Sequence, residues 1–142
     1  FNRENDYFPD GVNVSFVHPV DETSIFVRTF ERGVGFTNAC GTAMTASALV
    51  SAIIKLMPFG EVKVYNPGGF VKCIIEQSDE RVHLSLIGNA TFFATYSGKL
   101  SDDGEFSSDS FELHETEIAE YKELEKQARQ SIKDGWSSNE RN

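Results

Sequence analysis

The longest apolar stretch of the chain is residues 42–57, with the sequence TAMTASALVSAIIKLM. Small or apolar side chains occupy nearly every position, and Lys55 is its single charge. A helix that is apolar on all faces is normally buried, and this one is too short to cross a bilayer. Pro58 and Gly60 predict its end. We therefore expect a buried central helix whose Ala and Ser positions let strands approach closely.

Runs of β-branched, aromatic and alternating residues on both sides of this helix predict strands. The six predicted strands are residues 12–17, 24–30, 61–65, 70–76, 82–87 and 91–96. Short turns such as Asn66-Pro67-Gly68-Gly69 separate the later ones, which favours antiparallel pairing. The predicted fold class is α+β, a mostly antiparallel curved sheet wrapped around one buried hydrophobic helix.

The pattern changes after residue 100. Residues 101–110 are polar and acidic, which is typical of a linker. Residues 117–133 then predict an amphipathic C-terminal helix, because apolar side chains recur at steps of three and four. These apolar positions are Ile118, Tyr121, Leu124, Ala128 and Ile132. We expect one domain over residues 1–100 and, over residues 101–142, an acidic linker with an appended helix that docks on the body or on a partner.

The net charge of −9 belongs mainly to this tail, since residues 101–142 hold 12 acidic and 5 basic side chains. An acidic chain without a basic stripe argues against nucleic acid as a partner. No apolar run reaches the roughly 20 residues of a membrane span, and no leader peptide is recognisable. We expect a soluble, cytoplasmic protein with no membrane partner. A chain that begins with Phe1 rather than Met is expected to be part of a longer polypeptide.

The two cysteines differ in their surroundings. Cys73 lies within an apolar strand and is expected to be part of the core. Cys40 directly precedes the central helix, where unpaired backbone N–H groups and the positive end of the helix dipole favour a thiolate. Cys40 is therefore a candidate base or nucleophile, and the alternative is a small buried apolar residue. Their spacing predicts neither a zinc site nor a disulfide framework.

The residues before Cys40 carry charges suited to an amino acid. Glu31 offers an acceptor for an ammonium group, and Arg32 offers a two-pronged donor for a carboxylate. Gly41 lets a ligand approach the N–H groups at the start of the helix.

Four motifs occur in order along the chain: FPDGVNVSFV from residue 8, VRTFERGVGFTNACGT from residue 27, the Pro67-Gly68-Gly69 turn, and GNATFFATYSG from residue 88. With these motifs, residues 8–100 resemble the C-terminal half of a diaminopimelate epimerase. The resemblance implies interconversion of LL- and meso-diaminopimelate without pyridoxal phosphate, metal or other cofactor, a reaction of lysine and cell-wall biosynthesis. It implies two cysteines, one from each of two similar domains, which remove and return the α-proton on opposite faces.

The resemblance also implies residue roles. Cys40 would be the catalytic cysteine of the second domain, and Gly41 and Thr42 would hold the reacting carboxylate through their N–H groups. Asn13 would contact the distal end of the substrate. Glu31 and Arg32 would bind its ammonium and carboxylate groups. The implied partners are an amino-acid substrate and the missing N-terminal domain, with a homodimer as a further option, and the chain alone is expected to be inactive.

Three departures from the family pattern keep alternatives open. The family has G-E-T where this chain has Gly35-Phe36-Thr37, C-G-[ST]-G where it has Cys40-Gly41-Thr42-Ala43, and G-P-A where it has Gly88-Asn89-Ala90. Phe36 is expected to remove a carboxylate beside the site, and Ala43 to add a methyl group at the start of the helix. One alternative is a related amino-acid racemase or isomerase with another substrate. The other is a catalytically silent binding domain.

Overall fold

The computed structural model describes Asn2 and residues 6–139, with side chains to residue 133. Strands precede and follow a first helix, and a second helix closes the described part of the chain. The elements are β1 (Val14–Asp21), β2 (Ser24–Glu31), β3 (Gly35–Phe36), α1 (Gly41–Ile53), β4 (Gly60–Asn66), β5 (Gly69–Gln77), β6 (Val82–Ile87), β7 (Ala94–Leu100), β8 (Phe106–Leu113) and α2 (Glu115–Asn139).

The main sheet has the order β1-β2-β4-β5-β6, and the short strand β3 pairs with β2. Neighbouring strands are antiparallel except β2 and β4, which are parallel. A parallel pair needs a long crossover connection, and residues 32–59, which contain α1, provide it. The predicted α+β class with a mostly antiparallel sheet and a C-terminal helix is confirmed.

The core lies where α1 packs on one face of this sheet. Met44, Ala48 and Ala52 of α1 are buried against strand residues such as Val64 and Cys73. Ser47 and Ser51 are buried on the same side of α1, and the Ser47 hydroxyl donates to the Ala43 carbonyl at 2.7 Å. The small side chains bring helix and sheet close together, as expected.

The expectation of a helix buried on every side is wrong for the opposite face of α1. Val50 and Ile53 are 54% and 59% exposed, and Ile54, which caps the helix, is 64% exposed. Five strands on one side of the helix leave this apolar stripe uncovered within the described residues. The periodicity of the sequence could not distinguish the two faces, because both are apolar.

The helix also ends earlier than predicted, before Pro58. Lys55 takes a left-handed conformation with φ of 61°, and its N–H donates to the Ala52 carbonyl at 3.1 Å. The Leu56 N–H donates to the Ser51 carbonyl at 2.8 Å. This pair of bonds is a Schellman cap, which usually has Gly at the left-handed position. Lys55 in that role gave no sequence signal.

The predicted strands 24–30, 61–65, 70–76 and 82–87 correspond to β2, β4, β5 and β6. The first predicted strand starts and ends too early, since β1 runs to Asp21 and includes Pro19. Proline is tolerated there because β1 is an edge strand. The sixth predicted strand, 91–96, overlaps β7 only at residues 94–96, because β7 begins at Ala94, and β7 pairs outside the main sheet.

β7 and β8 form a separate antiparallel hairpin. The linker predicted over residues 101–110 is therefore wrong from Phe106 onward, where β8 begins. The ring of Tyr96 contacts that of its cross-strand partner Phe111 in a tilted arrangement, with centroids 4.7 Å apart. The hairpin pairs across residue 100, the predicted boundary, and the division into two parts stays a prediction.

The C-terminal helix is confirmed and extends beyond residues 117–133 at both ends. The Ile118 N–H donates to the His114 carbonyl, so the helix starts before the predicted residue 117. α2 packs against β5, β4 and β1, and Ala128 is fully buried. No helix within the described residues combines the length and hydropathy that a membrane span requires.

Candidate active site at the start of the central helix

Cys40 is the N-cap residue of α1, with an extended backbone of φ −141° and ψ 101°. Its carbonyl accepts the first helical bond, from the Met44 N–H at 2.9 Å. The N–H groups of Gly41, Thr42 and Ala43 consequently have no acceptor within the helix. The thiol is partly exposed and lies 3.7 Å from the Thr42 hydroxyl. A thiol and a set of backbone donors thus share one end of α1.

Gly41 lies close to the side chain of Leu86. A Cβ added to Gly41 would lie 3.0 Å from Cδ2 of Leu86, on β6. This distance is shorter than most real Cβ contacts. Glycine therefore lets β6 close against the start of α1 and leaves the backbone accessible.

Glu31, at the end of β2, is tied to the loop that leads to Cys40. Its carboxylate accepts a hydrogen bond from the Thr37 hydroxyl at 2.5 Å. Its backbone carbonyl accepts the Val34 N–H at 3.1 Å, which closes the turn between β2 and β3. The second carboxylate oxygen can accept from an ammonium group. Thr37 is a residue that sequence reasoning missed, although it lies three positions before Cys40.

The side chain of Asn13 is hydrogen-bonded to the backbone of Arg32. The side-chain carbonyl of Asn13 accepts the Arg32 N–H at 2.9 Å. The Arg32 guanidinium donates to the Asp10 carbonyl at 3.2 Å, and its side chain is exposed. The Asn13 bond occupies its oxygen and leaves its amide nitrogen as the group that can donate to a ligand.

An open groove of about 620 Å³ runs between β1 and α1. Of the predicted site residues, Asn13 and Thr42 line it. Cys40, Gly41, Glu31 and Arg32 are not among its lining residues. The full lining is Asn13, Ser15, Val17, Thr42, Ala43, Ala46, Ser47, Val50, Ser51, Ile54 and Leu56. α1 supplies six of these residues, of which Ser47 and Ser51 are buried and Val50 belongs to the uncovered face.

Phe36 lies in a different depression from the groove. Its ring packs edge-on against Phe30, with centroids 5.3 Å apart, and the Arg28 guanidinium sits 4.7 Å from its centre. The depression is lined by Phe16, Val17, His18, Phe26, Arg28 and Phe36. Ala43, in contrast, does line the groove.

Cys73 is not part of the site. It is fully buried in β5, and its thiol lies 3.9 Å from the Thr45 hydroxyl. Burial raises the pKa of the Cys73 thiol, an effect that the Thr45 hydrogen bond opposes in part. The expectation of a core cysteine is confirmed. Among the described residues, no group of three or more His, Cys, Asp or Glu side chains converges on a possible metal site.

The sequence of this chain matches a known protein family. Residues 3–93 match the family model described as diaminopimelate epimerase. A protein named diaminopimelate epimerase from Listeria monocytogenes is 46% identical over 135 residues, which covers 93% of this chain and 40% of that protein. Proteins of the same name from Lactiplantibacillus plantarum and Enterococcus faecalis are 54% and 52% identical over 103 residues, about 70% of this chain.

This chain therefore spans at most about two fifths of the length of the relatives it matches. The Listeria match extends past residue 93 into the tail, which lies outside the family model. The family model covers well over half of the chain, including the Glu31-Arg32 and Cys40-Gly41-Thr42 motifs. The chain belongs to the diaminopimelate epimerase family.

Proposed function

We propose that this chain forms the C-terminal half of a cofactor-independent isomerase that interconverts LL- and meso-diaminopimelate. In this proposal Cys40 supplies one of two thiols that act on the α-carbon. The rest of the polypeptide supplies the other thiol and the opposite wall of the site. The match covers about 40% of the Listeria relative, which is named diaminopimelate epimerase.

The position of Cys40 carries the proposal. A thiol at the N-cap lies beside three backbone N–H groups and the positive end of the α1 dipole. These N–H groups can bind a carboxylate, and the thiol beside them is the candidate base. A base and a carboxylate-binding cradle at one helix end suit removal of the proton next to that carboxylate.

The substrate-binding roles follow from the groups that the fold leaves available. Gly41 and Thr42 would donate their N–H groups to the reacting carboxylate. The amide nitrogen of Asn13, on the groove wall, would donate to the distal end of the substrate. Glu31 and Arg32 would contact its ammonium and carboxylate groups. The Thr37 bond would keep one Glu31 oxygen directed away from the ligand.

The chemistry balances with two thiols and one α-carbon. A thiolate takes the α-proton and becomes a thiol, and the electron pair of the C–H bond remains on the substrate. The carboxylate and the N–H groups that bind it accept part of this charge. The opposite thiol then gives its proton to the other face of the α-carbon and becomes a thiolate. Cys73 cannot be that second thiol, because it is buried among β5 and α1 residues.

The direct test measures epimerisation by the longer polypeptide and by this chain. The substrate is diaminopimelate in deuterated water, and nuclear magnetic resonance follows deuterium uptake at the α-carbon. Cys40→Ala in the longer protein is expected to abolish turnover, whereas the matched variant Cys73→Ala keeps it. The 142-residue chain alone is expected to be inactive. Turnover by the isolated chain, or full activity of Cys40→Ala, would contradict the proposal.

One observation favours a second candidate, an amino-acid racemase with a different substrate. Ala43 lines the groove where the family pattern has glycine, and its methyl group narrows the space beside Thr42. Deuterium uptake measured over a panel of amino acids separates the two candidates. A catalytically silent binding domain predicts that Cys40 reacts with iodoacetamide no faster than a model thiol at neutral pH.

A further inference from the structure

The C-terminal helix α2 contacts the turn between β4 and β5. The Tyr121 hydroxyl on α2 donates to the Gly68 carbonyl at 3.0 Å. Its ring packs edge-on against Phe93, with centroids 5.4 Å apart. Leu124 of α2 packs against the same turn, since its Cδ2 atom lies 3.5 Å from the position that a Cβ atom on Gly69 would take. A segment outside the family model is thus attached to a motif inside it.

That turn is bonded to the loop just before Cys40. The buried Gly68 shares its N–H between the Asn38 carbonyl at 3.2 Å and the Asn66 side-chain oxygen at 2.7 Å. The fit is tight, since a Cβ on Gly68 would lie 3.4 Å from that of Asn38. The backbone two residues before Cys40 is therefore fixed by Gly68.

The same turn is bonded to the helix just after Cys40. The Asn66 amide, which is 4% exposed, donates to the Met44 sulfur at 3.1 Å. The Met44 N–H in turn donates to the Cys40 carbonyl. The turn between β4 and β5 consequently holds Cys40 from both sides along the chain, through Asn38 and through Met44.

We propose that Tyr121 is a positioning residue for the Cys40 loop. Its hydroxyl fixes Gly68, Gly68 fixes Asn38, and the start of α1 then keeps Cys40 at the N-cap with its thiol beside the Thr42 hydroxyl. Packing of α2 is provided by Leu124, Ala128 and the Tyr121 ring, none of which needs the hydroxyl. The inference rests on the proposed function only in giving Cys40 the reactive role.

The test compares Tyr121→Phe with Tyr96→Phe in the full 142-residue chain. Both remove one hydroxyl and keep an aromatic ring in contact with a phenylalanine, but Tyr96 is exposed on β7. Iodoacetamide alkylation is followed at Cys40 and Cys73 by mass spectrometry at pH 7. Amide hydrogen exchange is followed at Gly68 and Met44. Cys73 is buried, so its alkylation reports unfolding of the chain. If Tyr121→Phe only destabilised the fold, alkylation of Cys73 would rise and the Cys40 rate would not fall.

Tyr121→Phe is expected to slow Cys40 alkylation about twofold or more and to speed exchange at Gly68 about fivefold, with Cys73 still protected. Tyr96→Phe is expected to change neither. An unchanged or higher Cys40 rate with Cys73 protected overturns the proposal. If Tyr121→Phe fails to fold, Gly68→Ala disturbs the same link without touching α2, and an unchanged Cys40 rate in it also overturns the proposal. These readouts need no turnover, so failure of the proposed epimerase activity remains distinguishable.

Discussion

The side-chain carbonyl of Asn13 accepts the backbone N–H of Arg32 at 2.9 Å, although 19 positions separate the two residues. The bond joins the residue before β1 to the residue after β2, at the end of the hairpin that lies nearest the site. It gives Asn13 a structural role in addition to the proposed ligand contact. The two roles use different atoms of one amide, which makes them separable by substitution.

Asn13→Ala is expected to lower the free energy of unfolding by about 0.5–1.5 kcal/mol, because the Arg32 N–H loses its acceptor. Asn13→Asp keeps an oxygen at the same place and should cost less. Urea denaturation of both variants measures the difference. Asp lacks the amide donor, so diaminopimelate binding by the longer protein should weaken in both variants. Equal destabilisation by Ala and Asp would show that the Arg32 bond contributes nothing.

Much of the fold followed from local pattern. β2, β4, β5 and β6 were predictable because alternation, β-branching and turn residues agree over each of them. β8 was not predictable, since the run FSSDSFEL has three serines and two acidic residues among its eight positions and forms a strand by pairing with β7. The early end of α1 was also not predictable, because Lys55 occupies the left-handed position at which glycine usually marks the end of a helix.

The chemistry of the site was predictable by type but not by geometry. A cysteine before an apolar run predicts a thiol at a helix start, and Cys40 is at the N-cap. The Thr37–Glu31 and Gly68–Asn38 bonds depend on how distant segments meet, which no local pattern encodes. Phe36 was expected beside the site because it replaces the glutamate of the family's G-E-T motif, whereas its ring lies in the separate Arg28 depression.

The two faces of α1 should respond differently to added volume. Ala48 is fully buried against the sheet, so Ala48→Leu is expected to cost about 1–3 kcal/mol through overpacking. Val50 is more than half exposed on the opposite face, and Val50→Leu should change stability by less than about 0.5 kcal/mol. Urea denaturation of the 142-residue chain tests both. A large cost at Val50 would indicate that this face is covered in the chain.

Phe36→Glu tests whether the family residue at this position can replace the ring. The substitution loses the contacts with Phe30 and Phe16 but places a carboxylate near the exposed Arg28. An exposed ion pair contributes about 0–1 kcal/mol, so Phe36→Glu should be more stable than Phe36→Ala by up to that amount. The advantage should shrink as salt is raised from 20 mM to about 500 mM. A salt-independent difference would argue against the Arg28 pairing.

Cys73 should make the chain less stable at alkaline pH. Burial raises the pKa of its thiol above the ordinary value of 9.0, with the Thr45 hydrogen bond opposing this in part. Between the unfolded and folded values, the unfolded state binds fewer protons, so the free energy of unfolding falls as pH rises. The contribution is fully present below about pH 9 and is lost as pH rises through the folded value. Urea denaturation from pH 8 to pH 10.5 should show a steeper decline for the unmodified chain than for Cys73→Ala, in which Cys40 and the other titrating groups are unchanged. Parallel declines in the two proteins would mean that the Cys73 thiol ionises equally in both states.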